Sequence, residues 1–166
     1  ETLIIVTGDH ECGGLTIGFA GTQYESAFEK IAKQTKSFEY FDKYVIGKYM
    51  DQANVTMEQI NAEIKNYFGL SDFTEYETAM LERAFQTAIT GESVNKDEDA
   101  ILYGGYNPIS VQLTHIVANR AGLAWTSYSH TGVPVPTFAM GSGSESFNGY
   151  YDNTDIFHKT VQAMSL

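Results

Sequence analysis

The chain has 166 residues, 43% of them hydrophobic and 13% aromatic, with 10 basic against 21 acidic side chains for a formal charge of −11. That length supports one domain with a sizeable core, and the composition excludes a disordered chain. The acidic balance excludes the basic footprint that nucleic acid requires, no apolar run is long enough to span a bilayer, and a single cysteine rules out an intrachain disulfide.

The run Thr2–Thr7 is apolar, β-branched and closed by Gly8, which predicts a buried strand. It follows Glu1 directly, with no Met and no leader-like segment ahead of it, so the chain is expected to be a piece of a longer protein. Leu15–Phe19 alternates and predicts a second strand, ended by Gly21. From residue 22 to 106 the apolar spacing turns helical, with helices expected over 24–34, 38–50, 57–68 and 75–90. Two capping boxes, Thr56/Gln59 and Thr74/Glu77, and two stop signals, Gly69 and Gly91, mark the last two. Asn95–Asp99 reads as a polar loop and Gly104-Gly105 as a flexible connection. Asn107-Pro108 starts a helix over 108–121 with an apolar stripe of Ile109, Leu113, Ile116, Val117 and Ala121, and Gly122 closes it. Strands are expected over 124–128 and 134–140, the second near an edge because of Pro134 and Pro136. A final helix over 154–164 is capped by Asn153 or Thr154. The four strands are expected in one sheet, with helices 108–121 and 154–164 packed on it.

Asp9-His10 follow the first strand at once, where the carboxyl ends of strands in open α/β sheets carry ligands. A second histidine, His130, lies in a loop between two strand-like runs. A carboxylate and two imidazoles are donor types that zinc takes. The bland alternative is that Asp9 accepts backbone N–H groups in a turn and His10 is an ordinary loop residue. Adjacent strand residues point to opposite faces, so Asp9 and His10 share an ion only where the strand has ended; Gly8 is expected to permit that turn. Glu11 either orients His10 or faces solvent. Cys12 is expected to be buried beneath the loop, away from the cluster. His115 is expected to be a packed or solvated helix residue, His158 a surface residue, and the Gly141–Ser146 loop no phosphate cradle, because no helix with a lysine follows it.

Three strings go further. Thr2–Leu15, Trp125–Pro136 and Phe147–Ile156 resemble, in order, the metal-binding strand end, the later histidine loop and the closing loop with last helix of alkaline phosphatases. The chain departs from the family at Gly8, more often Ala there, and at Cys12, commonly Thr. The resemblance implies an incomplete α/β core over 1–21 and 107–166, part of a central mixed or parallel sheet flanked by helices, with a helical insertion over 22–106. It implies that Asp9 and His10 ligate one Zn2+ and His130 a second, with Mg2+ in the full-length protein. It further implies hydrolysis of phosphate monoesters through a phosphoserine, a periplasmic or secreted location, and a possible homodimer with the amino-terminal part as missing partner. The family's nucleophile string, Asp-Ser-Ala in type, does not occur here, and neither Arg83 nor Arg120 lies in the context of its phosphate-binding arginine. This chain is therefore expected to be inactive by itself. Two other readings stand beside this one: a non-catalytic metal-binding or oligomerisation module, and a related metal-dependent hydrolase of diesters, sulfates or phosphonates.

Overall fold

The computed structural model describes residues 2–50, 52–91 and 95–165, Thr90 by its backbone alone. The strands are β1 (Leu3–Thr7), β2 (Glu11–Cys12), β3 (Thr16–Ile17), β4 (Leu123–Ala124), β5 (His130–Thr131) and β6 (Thr137–Gly141). The helices are α1 (Phe38–Phe41), α2 (Gly47–Met50), α3 (Met57–Phe68), α4 (Glu75–Thr90), α5 (Lys96–Tyr103), α6 (Pro108–Ala121) and α7 (Asp155–Ala163). The chain divides into two compact units, one of residues 1–12 with 130–166, the other of residues 13–129. The second unit contains the 22–106 block marked out from the sequence and extends beyond it at both ends.

The first unit is built on β1 and β6, paired antiparallel with Leu3 opposite Gly141 and Thr7 opposite Thr137. β2 and β5 continue the same pairing of chain segments, Glu11 opposite Thr131 and Cys12 opposite His130. A 3-10 turn, Ser144–Phe147, packs on both β1 and β6 and buries Phe147. α7 packs on that turn. Thr154, one of the two expected candidates, is its N-cap but makes no side-chain cap hydrogen bond; instead Asp152 accepts from Thr154 N at 3.0 Å and Thr154 Oγ1 at 2.9 Å, while its own N–H donates to Asp155. Those bonds to Thr154 hold the Asp152 carboxyl below its usual range.

The second unit is helical, and α6 is its hub. The whole predicted stripe, Ile109, Leu113, Ile116, Val117 and Ala121, is buried. It packs with Phe41, Ile60, Ile64, Phe68, Leu81 and Phe85 from α1, α3 and α4. Asn107 caps α6 through Ile109 N and Ser110 N, and both expected capping boxes are present on α3 and α4. His115 is half-buried with its ring 4.9 Å from that of Tyr128, and burial pushes its pKa down.

Several expectations fail here for identifiable reasons. The α/β class holds, but among the described residues the strands form three separate two-stranded antiparallel ladders, with β3 pairing β4. The runs 15–19 and 124–128 shrink to two residues each because Gly13, Gly14, Gly18 and Tyr128 all have positive φ, which extended strands do not allow. α6 packs among the helices of its own unit. Segment 24–34 forms only 3-10 turns, because Ala27 N donates to Ala121 O at 3.0 Å and Lys30 Nζ to Arg120 O at 3.0 Å. It caps the end of α6 in place of coiling on itself. The 38–50 helix contains a π turn over Asp42–Ile46, and Asp42 takes a hydrogen bond from the buried Ser110 hydroxyl. Burial pushes the Asp42 carboxyl up. The stretch read as a polar loop starts α5: Asn95 caps Asp97 N and Glu98 N, and three acidic residues occupy the first turn.

Arg120 ties this unit together. Its Nε and Nη2 donate to Glu77 at 2.7 and 2.6 Å, and its Nη1 and Nη2 donate to the carbonyls of Ser71 and Asp72 at 3.2 Å. Glu77 meanwhile closes the α4 capping box on Thr74 N at 2.8 Å. Hydrogen bonding to Arg120 holds the Glu77 carboxyl below its usual value of 4.5. A carboxyl depressed in the folded state binds fewer protons there than when unfolded. Its contribution is present above pH 4.5 and is lost as pH falls through the folded value. Glu77→Gln, which can still cap Thr74, is expected to cost about 1.5–3 kcal/mol at neutral pH. In urea melts that deficit should shrink as pH drops below about 4.5.

Candidate metal centre

β1 ends at Thr7, and residues 8–10 bend away before β2 begins. The strand has therefore ended before Asp9, which lets both candidate donors serve one place. Asp9 Oδ1 accepts from His10 N at 3.0 Å, and Asp9 Oδ2 lies 3.4 Å from His10 Nε2. The ring of His130, in β5, stacks on that of His10 with centroids 3.7 Å apart and planes tilted by 32°. All three residues named from the sequence thus come together, 120 positions of chain notwithstanding.

The tautomer of His10 follows from its neighbours. His10 Nδ1 lies 2.8 Å from the Glu11 carbonyl oxygen, which can only accept, so Nδ1 carries the hydrogen. In the neutral ring Nε2 then presents a lone pair to a carboxylate oxygen. Two acceptors facing each other at that distance invite a cation between them. An imidazole whose second nitrogen is held by a carbonyl is also how protein ligands to metals are oriented. The donor chemistry therefore fits a zinc ion held by His10 Nε2 and Asp9, with His130 beside it. The donor count does not complete one. Among the described residues no group of three or more His, Cys, Asp or Glu side chains is arranged to hold a metal ion.

Glu11 positions His10 through its main chain. Its carboxylate accepts from the Thr131 hydroxyl across the β2–β5 ladder. Cys12, expected to be buried and apart, is exposed and directly opposite His130 in the register. A two-residue ladder has no layer over it to bury a thiol. Gly8 has ordinary backbone geometry, and a Cβ there would meet nothing closer than 3.4 Å. The obligatory glycines come after the site: Gly13 has φ +84 and a Cβ would lie 2.7 Å from the Trp125 ring, while Gly14 has φ +63 and a Cβ would lie 2.0 Å from Thr126 Oγ1.

Asp9 and His10 line a cleft of about 610 Å³ together with Thr131–Thr137 and the turn Gly149–Asn153. His130 is not among its lining residues. For the Tyr150–Asn153 wall the sequence signal is the Phe147–Ile156 string. Both arginines are held by carboxylates of their own unit. Arg83 is bound to Glu98 at 2.8 Å and Asp99 at 3.5 Å, and Arg120 to Glu77. His158 is exposed on α7, as expected.

The alkaline phosphatase family model matches residues 1–166. Alkaline phosphatase 3 of Bacillus subtilis (strain 168) is 29% identical over 165 residues, 99% of this chain and 30% of the relative. Alkaline phosphatase 4 of the same organism is 30% identical over 156 residues, 93% of this chain and 28% of the relative. The solved structure of a cold-active alkaline phosphatase from a psychrophile, Shewanella sp., superposes with a TM-score of 0.61 at 26% identity, covering 98% of this chain and 34% of that one. The chain thus spans about a third of the length of the relatives it matches.

The glycine geometry gives a direct check. Gly8→Ala should change stability by no more than about 0.5 kcal/mol, whereas Gly14→Ala should cost about 1–3 kcal/mol from its left-handed backbone and the Thr126 contact. Denaturant midpoints of the two variants decide it, and equal losses would count against the turn described here.

Proposed function

The chain belongs to the alkaline phosphatase family, and on that premise we propose that it is the carboxy-terminal portion of a zinc-dependent enzyme that hydrolyses phosphate monoesters through a phosphoserine. Asp9 and His10 hold one zinc and His130 a second; Mg2+ and the remaining ligands, the nucleophile and the phosphate-binding arginine belong to the rest of the longer protein. What carries the reading is the gathering of Asp9, His10 and His130 where β1 ends, beside a cleft. When bound, a zinc pair stabilises both the attacking and the leaving oxygen of an in-line displacement.

The work of this chain is positioning. The Glu11 carbonyl fixes the Nδ1–H tautomer of His10 and frees Nε2 as a donor. The hydrogen bond that His10 N donates to Asp9 Oδ1 sets the carboxylate beside the imidazole. The Thr131–Glu11 contact holds β2 on β5 and so keeps His130 at His10. The Tyr150–Asn153 turn borders the space next to Asp9 and His10, where a substrate's leaving group would lie. Location in the periplasm or outside the cell and assembly as a homodimer are parts of the same proposal. No helix among the described residues is long and apolar enough to cross a membrane.

An aryl phosphate assay tests it. The longer protein is expected to turn over at alkaline pH and to lose activity to a chelator, and His130→Ala should lower kcat/KM by about 10²-fold or more. The 166-residue chain, with both arginines committed to carboxylates, should show no turnover even with zinc added. Full activity in His130→Ala would remove the metal role given to that residue. Chelator-sensitive turnover by the short chain would reveal a nucleophile within it.

A further inference from the structure

The cleft beside Asp9 and His10 has walls of unlike chemistry. One is the apolar run Val133-Pro134-Val135-Pro136. The other is the turn ahead of α7, which brings Tyr150 and Asp152 to the same space. Tyr150 is 87% exposed, so most of its ring is open to contact. Asp152 is exposed as well, yet held in place. Thr154 N and Thr154 Oγ1 both donate to its Oδ1, and its own N–H donates to Asp155 Oδ2 at 3.2 Å. The bonds from Thr154 hold its carboxyl below the usual range, so it is ionised at neutral and alkaline pH. Asp9 is the other carboxylate of the lining, and among the described lining residues there is no lysine or arginine. Lys159, on α7, is engaged elsewhere: its Nζ lies 4.4 Å from the centroid of the Tyr151 ring and donates to Ser146 O at 2.7 Å. With Asp9 serving a metal, Asp152 is left as the unanswered charge of the cleft.

We propose that Tyr150 and Asp152 form a leaving-group subsite that selects phosphate monoesters of amino alcohols, the ammonium group of the alcohol resting against the Tyr150 ring and the Asp152 carboxylate. The subsite rests on the phosphatase reading above and names the substrate class within it. An aromatic face attracts a cation through its quadrupole, a carboxylate attracts it by charge, and the apolar wall takes the methyl and methylene groups. Other leaving groups suit the cleft less well. An anionic alcohol would meet Asp152 with like charge. A plain alkyl or aryl alcohol would use the ring and the wall but leave the carboxylate without a counter-charge. Both residues meet the leaving group away from the phosphorus, so they set specificity and take no part in bond breaking.

Choline phosphate and neohexyl phosphate test it in the longer protein. The two esters share a shape and differ by a cationic nitrogen in place of a carbon. The ratio of their kcat/KM values within one enzyme cancels any general loss of fold or metal. Choline phosphate should be favoured by about five-fold or more. Asp152→Asn, whose amide oxygen can still accept from Thr154, and Tyr150→Leu, which keeps the wall apolar, should each bring the ratio toward one. A ratio of one in the unaltered protein, or a preference untouched by both substitutions, would overturn the subsite and leave the phosphatase reading intact. A preference that survives one of the substitutions would remove that residue from the subsite. Turnover of neither ester, nor of an aryl phosphate, would remove the phosphatase reading and the subsite with it.

Discussion

The pairing of residues 3–12 with residues 130–141 is the constraint on which the site depends. His130 is 120 residues from His10, and the two ladders, β1 on β6 and β2 on β5, bring it there. Closing a loop as long as residues 13–129 in a flexible chain would cost on the order of 4 kcal/mol in entropy. Here the loop is a folded unit whose own ends are joined, Gly13 N donating to Ser129 O at 3.0 Å. The folded unit around α6 therefore keeps positions 13 and 129 together. Arg120, through Glu77, Ser71 and Asp72, fastens α6 to the start of α4 within that core.

Local chemistry then does the rest in a few residues. The bend at 8–10 frees Asp9 from strand alternation, the Glu11 carbonyl sets the His10 tautomer, and the Glu11 side chain grips Thr131. One residue thus orients one imidazole with its main chain and locks the strand carrying the other with its carboxylate. Stacking of the two rings at 3.7 Å keeps the donors close without converging them.

Much of this was legible where a signal is local. The helices α3, α4 and α6 were readable from Thr56/Gln59, Thr74/Glu77 and Asn107-Pro108, because caps are short-range hydrogen bonds written into adjacent residues. Asn95 followed by Asp97, Glu98 and Asp99 carried the same kind of signal for α5, an N-cap with acids on the positive end of the dipole, and was misread as a charged loop. The strands were the weak point. Their extent depends on partners far along the chain and on left-handed positions such as Gly14 and Tyr128 that periodicity does not register. Site membership came from residue type at Asp9, His10 and His130 and from the family strings. The roles of Glu11 and Cys12 did not, because they follow from the β2–β5 register.

That register carries a topological consequence. The chain leaves the first unit at Cys12 and returns at His130, and these two residues are cross-strand partners. Adjacent exit and entry points are what a tight hairpin turn bridges with two residues. The 117-residue excursion between them occupies the position of a hairpin loop, so its length is decoupled from the reach between His10 and His130. Segments attached in this way can lengthen, shorten or be exchanged wholesale while the donor pair keeps its spacing, which makes this junction a natural point of divergence among proteins sharing the ladder.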